Sequence, residues 1–191
     1  MIENVKQQKS AKAKKMMLLF GLLSITMTFA GLTSAYIVSK GRPDWTMDFN
    51  LPSEFFYSTF FIVLSSLTLL ISKRKLTSGK SINSVFNWTL STFILGLIFI
   101  VFQFIGFNNI IDQGYYFAGA QSAIKTSFIY VLSFLHIVHL VAGLIVLSVI
   151  MVNIKKGKYV KNNLGFNLGS NFWHYLDFLW LYLFSFFYFF G

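Results

Sequence analysis

A chain of 191 residues, 55% hydrophobic and 12% charged, with 24 Phe and a mean hydropathy of +0.65, is no ordinary soluble domain. It has no cysteine, which excludes disulfides and thiolate metal sites and leaves only His and carboxylates as metal ligands. The net charge of +10 suggests nucleic acid, but the placement of the charges points elsewhere.

Five apolar stretches, at 16–38, 53–72, 87–107, 126–152 and 172–190, approach or exceed the roughly 20 residues that cross a bilayer core. They predict an all-α integral membrane bundle of five transmembrane helices. Thirteen of the 16 basic residues fall in three segments: five before Met16, four in 73–86 and four in 153–171. Only Lys40, Arg42 and Lys125 lie in the other two loops. With five crossings these segments alternate, so the positive-inside rule predicts a cytoplasmic N-terminus and Gly191 outside. The charge reads as topology, and no nucleic-acid partner is implied.

Residues 1–15 are polar and lysine-rich, and predict a mobile basic arm at the anionic inner leaflet, ahead of one membrane domain over 16–191. The first span is longer than the 7–15 residues of a signal-peptide core and is expected to be retained. Its small residues repeat at four-residue spacing, Ala30 with Ser34 and Gly31 with Ala35, which permits close helix contact. Both prolines, Pro43 and Pro52, fall in the loop that follows, so no helix interior is broken.

The second span carries Thr59, Ser65, Ser66 and Thr68, whose hydroxyls can bond back to the preceding turn as packing elements. In the third, Gln103 stands about four residues, roughly 6 Å, from the outer end, where a headgroup or water contact suffices for it. The fourth holds His136 and His139, with Ala142 and Gly143 beyond them. Their depths from Thr126 are about 15 and 20 Å, well inside the hydrocarbon. The last span runs Trp173, His174, Tyr175, Leu176, Asp177 and on to Trp180. His174 and Asp177, three apart, share a helix face and can satisfy each other. Asp177 lies about 8 Å from the inner end of that span. An unpaired Asp at a helix centre costs roughly 2.5–3.5 kcal/mol on insertion scales, so His174 and Asp177 are expected to pair with each other or with a partner near the cytoplasmic surface. Trp173 and Trp180 can also be read as interface anchors.

Three function classes compete. A haem-binding anchor would need axial ligands from opposite sides of the iron. His136 and His139 share one face of one helix, while His174 sits at a different depth. A small transporter would use the intramembrane His and Asp, but no acidic residue continues the path outward and no inverted repeat is visible. The third class is a structural subunit of a larger complex.

The motifs favour the third. Trp173-His174-Tyr175-Leu176-Asp177 followed by Phe178-Leu179-Trp180-Leu181 resembles the closing helix of cytochrome c oxidase subunit III. The resemblance extends over nearly the whole chain. It takes in Gly31-Leu32 with Ala35-Tyr36, and the loop Gly41-Arg42-Pro43-Asp44-Trp45. It continues with Leu51-Pro52 and the Ser65-Ser66-x-Thr68 run, then Leu95-Gly96 with Phe99 and Gln103, then His136-x-x-His139 with Gly143. Two positions depart from it: Ile25 and Gly106 stand where the family places acidic residues. The long form of subunit III has seven helices, a pair and a group of five around a lipid-filled cleft, and this chain resembles a form without the first pair.

The resemblance implies a non-catalytic subunit of a proton-translocating haem-copper terminal oxidase in the cell inner (plasma) membrane. It implies no haem, copper or catalytic residue in this chain, with haem and copper in partner subunits and bound phospholipids as cofactors. Subunit I is the main expected partner, with subunits II and IV, a larger respiratory supercomplex and membrane lipids beside it. The implied role is to stabilise the catalytic subunit, bind lipid and sustain proton uptake. His136, His139, Gly143, Trp173, His174, Asp177, Trp180 and Gln103 are the motif residues for packing, lipid or proton uptake. Cytochrome c oxidase is the first reading of the complex. A quinol oxidase subunit III and an accessory protein of nitric oxide reductase are the rivals within the family.

Overall fold

The computed structural model of the protein describes residues 2–42, 45, 51–79, 81–117, 124–160 and 162–190. Pro43, Asp44, Lys80, Lys161 and Gly191, used above in the loop and topology readings, lie outside these. Five long helices account for most of the described residues: α1 Ile2–Ser39, α2 Glu54–Thr77, α3 Ile82–Asp112, α4 Ile124–Lys155 and α5 Leu164–Phe190. A short 3₁₀ turn, Lys158–Val160, links the last two. Four helices, α1 to α4, are both long and apolar enough to cross a membrane. The chain is a membrane protein. α5 is 27 residues, or about 40 Å, long. Its hydropathy is lowered by Trp, Tyr, Asn and His.

Each helix outruns the apolar stretch that announces it, because the hydrogen-bond ladder continues into polar residues beyond the bilayer core. The largest difference is at the start. The basic arm expected to be mobile continues α1 as helix, since Lys, Gln and Ala are good helix formers and extend a helix already nucleated by the span. Residues 6–10 of it are exposed. Three helices end where a glycine takes the left-handed conformation, Gly79 after α2, Gly114 after α3 and Gly157 after α4.

α2, α3, α4 and α5 close a ring, each packing on the next and α5 on α2, while α1 lies outside against α4 and α5. The α2–α3 seam is laced by hydroxyls. Thr68 and Thr92 share a hydrogen bond of 2.8 Å, Ser72 and Thr89 one of 2.9 Å, and Gln103 Nε2 donates to Ser58 Oγ at 2.8 Å. These α2 residues recur at near-heptad spacing, which keeps them on the α3 face. In lipid, where burying apolar surface drives nothing, such bonds and close packing hold helices together.

α1 is attached more sparsely. Tyr175 Oη donates to the Leu22 carbonyl at 3.1 Å, and Thr33 and Tyr182 share a bond of 3.0 Å. Its small residues Ala30, Gly31, Ser34 and Ala35 are all exposed, and a Cβ on Gly31 would meet nothing within 4 Å. Among the described residues, the close helix contact this spacing permits is not made.

Candidate functional site

The centre of the ring is filled from α5. Trp173 and Trp180 are wholly buried, so neither is an interface anchor. Each indole N–H finds a hydroxyl on α2: Trp173 Nε1 donates to Ser65 Oγ at 3.0 Å and Trp180 Nε1 to Thr59 Oγ1 at 2.9 Å. Those hydroxyls pass the bond on, Ser65 to the Ile62 carbonyl and Thr59 to the Phe55 carbonyl, both at 2.7 Å. The back-bonding expected from sequence is thus present, and it orients acceptors for the tryptophans.

Two glycines make room for Trp173. A Cβ on Gly96 would stand 2.7 Å from its Cη2. A Cβ on Gly143 would stand 3.2 Å from its Cε3 and 2.9 Å from Leu176 Cδ1. Gly143 therefore belongs to the tryptophan's socket. Gly96, noted in sequence only as part of a motif, is its opposite wall.

The histidines have separate environments. His136 is buried, its ring 5.2 Å from Trp180 and 5.9 Å from Phe99, centroid to centroid. Neither ring nitrogen has a hydrogen-bond partner. His139, half-buried one turn on, donates from Nδ1 to the Leu135 carbonyl at 2.7 Å and meets the edge of Phe29. A carbonyl only accepts, so this bond places a proton on Nδ1. Gln103 is fully buried and bonded to Ser58, not at the membrane surface as its distance from the apolar boundary suggested. The reason is the face it occupies: Gln103 lies on the side of α3 that packs against α2, where Ser58 and not a headgroup meets it.

On α5, Ser170, His174 and Asp177 stand at i, i+4 and i+7 on one stripe, which meets α2 at His174. His174 Nδ1 and Ser66 Oγ share a hydrogen bond of 2.6 Å, while His174 Nε2 has no partner. Asp177, 3% exposed, has none on either carboxylate oxygen, and Ser170 Oγ has none. Of the two pairings expected, with each other or with a separate partner, His174 takes the second, with Ser66, and does not bond Asp177. Because α5 begins at Leu164, Asp177 lies thirteen residues, about 20 Å, from the helix start, while its distance from the apolar boundary stays about 8 Å. Ser170 was missed in sequence; its spacing to His174 and Asp177 was the available signal. Among the described residues, no three His, Asp or Glu side chains gather as metal ligands.

Comparison with known proteins places this arrangement. A family model described as cytochrome c oxidase subunit III matches residues 7–191. The chain belongs to the cytochrome c oxidase subunit III family. It is 35% identical over 140 residues to cytochrome bo(3) ubiquinol oxidase subunit 3 of Buchnera aphidicola subsp. Baizongia pistaciae, covering 70% of this chain and 67% of that one. It is 31% identical to the Pseudomonas aeruginosa protein of the same description, covering 86% and 78%. It is 28% identical to cytochrome c oxidase subunit 3 of Bacillus sp. (strain PS3), covering 84% and 77%. The socket of Trp173, Gly96 and Gly143 and the Ser170–His174–Asp177 stripe are therefore features of a subunit III chain.

One departure from the family motif has a visible cause. At Gly106, where the resemblance led to an acidic residue, a Cβ would stand 2.8 Å from Phe55 Cε2. The Phe55 ring occupies the room a side chain would need.

Proposed function

We propose that this chain is the non-catalytic third subunit of a haem-copper terminal oxidase, seated against the catalytic subunit in the plasma membrane by five spans, with its N-terminus in the cytoplasm. The observation that carries this reading is the buried α5 stripe from Trp173 to Trp180, inside a family match that runs from residue 7 to 191. For α5 as the fifth span, length speaks in favour, as does its one formally charged side chain, Asp177, being turned inward. The alternation of basic segments supports the orientation. Subunit I is the proposed main partner, with subunit II beside it.

The donor is proposed to be a quinol. Sequence alone favoured cytochrome c, but identities of 31–35% to the two ubiquinol oxidase subunits exceed the 28% to the Bacillus cytochrome c oxidase subunit.

Phospholipid is the proposed bound cofactor. A groove of about 680 Å³ between α1, α2 and α5 has Lys15 and Lys73 at its rim and Leu18, Leu22 and Leu168 along its wall. Cations over leucines suit an anionic headgroup with its acyl chain. Asn167 lines the same groove one turn before Ser170, and Asn171 one turn before His174, so the groove adjoins the inner end of the stripe that ends at Asp177. That continuity supports a role in holding water or protons at the inner face.

The test is purification of the tagged full chain from its native membranes. Co-purification of large haem-copper subunits, with quinol-driven oxygen consumption, is the expected result. A stoichiometric haem spectrum from the isolated chain would overturn the non-catalytic reading.

A further inference from the structure

Four polar atoms on facing sides of α3 and α4 have no partner: Gln103 Oε1, Ser133 Oγ, and both ring nitrogens of His136. All three side chains are wholly buried. Aromatic contacts on either side fix how the two helices are matched. Phe99 meets His136 at 5.9 Å and Phe107 meets Tyr130 at 5.4 Å, centroid to centroid. Gln103 lies midway between the two phenylalanines, and Ser133 midway between Tyr130 and His136. In an antiparallel pair this sets Gln103 level with Ser133, and places His136 one turn from Ser133 on the same face.

From this register we infer that the outer half of the bundle binds one internal water, held between α3 and α4 by Gln103, Ser133 and His136. Such a water receives a proton from the Ser133 hydroxyl and donates to Gln103 Oε1 and to an imidazole nitrogen, which gives it the two to four partners a buried water needs. It satisfies three of the four atoms, whose burial is otherwise costly. Turning the Gln103 amide over does not remove the need, because one of its two polar atoms faces Ser58 and the other is left over in either setting. His136 cannot swing away to find another partner, since Trp180 packs over its ring and Phe99 against it. The water extends the Ser58–Gln103 bond across the bundle interior, linking α2 and α3 to α4.

The experiment is a double-mutant cycle on the full chain in its purified complex, read by thermal melting, with a map of the complex fine enough to show ordered water. A bound water predicts that Ser133→Ala lowers the melting midpoint, by about 2–4 °C. It also predicts that the same change costs little once Gln103→Leu is present. The map is expected to show a density peak within hydrogen-bond distance of both side chains. If the site is dry, Ser133→Ala removes an unsatisfied hydroxyl and leaves the midpoint unchanged or raises it, and the two substitutions add. Either of those results overturns the proposal. So does a map in which Gln103 bonds directly to Ser133 or His136 with no peak between them.

Discussion

The Phe55 ring lies where a side chain at residue 106 would have to go: a Cβ on Gly106 would meet Phe55 Cε2 at 2.8 Å and Cδ2 at 3.1 Å. Phe55 is itself wholly buried and stacks on Trp180 at 6.1 Å, so it cannot simply move aside. Gly106→Ala is expected to cost about 1–3 kcal/mol, the range for overpacking a filled interior, and Gly106→Glu more. Melting of the purified complex measures it. Combining Gly106→Ala with Phe55→Leu should recover part of the loss; a double variant no better than Gly106→Ala alone would mean that the ring is not the obstacle.

How much of this was legible in the sequence follows from what each signal measures. Apolar length located all five helices, but it marks where hydrocarbon begins, and a helix does not stop there. That length gives depth and not facing, so it left Gln103 open to a headgroup or water contact where the seam with α2 buries it against Ser58. The α3 interior was readable too. Its buried residues Val85, Thr89, Thr92, Gly96, Phe99, Gln103, Gly106 and Ile110 recur at alternating steps of four and three. A hydropathy average hides such a stripe because small and polar residues make it up, as they do where membrane helices pack closely. Partner choice was not readable: spacing allowed His174 to meet Asp177, and only the position of α2 decides that it meets Ser66.

Trp173 sits between two glycines, and the two should differ in tolerance. At Gly96 an added methyl meets the indole at 2.7 Å and Leu144 Cδ2 at 3.0 Å, and the indole is pinned by its bond to Ser65. At Gly143 the nearest atom, at 2.9 Å, is the end of the Leu176 side chain, which can rotate. Gly96→Ala should therefore lower the melting midpoint of the complex more than Gly143→Ala. Ser65→Ala should cost less than either, near the average of about 0.6 kcal/mol for a hydrogen bond between membrane helices. Equal losses at the two glycines would contradict the pinning of the indole.

Orientation is open to a direct measurement. The 13-to-3 division of basic residues between alternate segments sets the expectation. A reporter active only in the cytoplasm should give no signal when fused after Gly191, and signal when fused ahead of Met1. The reverse pattern would overturn the proposed topology.

The Lys15 and Lys73 side chains line one groove from two helices, so their effects on lipid should be coupled. Replacing both with Gln is expected to reduce the anionic phospholipid that co-purifies with the complex, read by mass spectrometry after exchange into neutral detergent. Neutral phospholipid should be unaffected, because the leucine wall is unchanged. Equal loss of both lipid classes would point to general loosening of the bundle in place of a headgroup site.

Asp177 separates the packing role from the proton role. Its carboxylate makes no hydrogen bond within 3.5 Å and has the Ser66 hydroxyl as its polar neighbour. Asp177→Asn keeps the shape and an oxygen to face that hydroxyl, and Asp177→Ala removes a group costly at membrane depth. Both variants should insert and leave the helices in place. If Asp177 serves only in packing, Asp177→Asn behaves as the wild type at every pH, and Asp177→Ala affects assembly alone. If it holds protons for the catalytic subunit, both variants lose turnover in the fully assembled oxidase. The loss should grow as pH rises, since the scarcer protons are in bulk water, the more a retained one matters to supply. The measurement is oxygen consumption against pH, normalised to assembled complex. Undiminished activity of Asp177→Ala at high pH would exclude the proton role. A deficit shared by Asp177→Asn and growing with pH points away from packing, because the amide fills the same space and does not titrate.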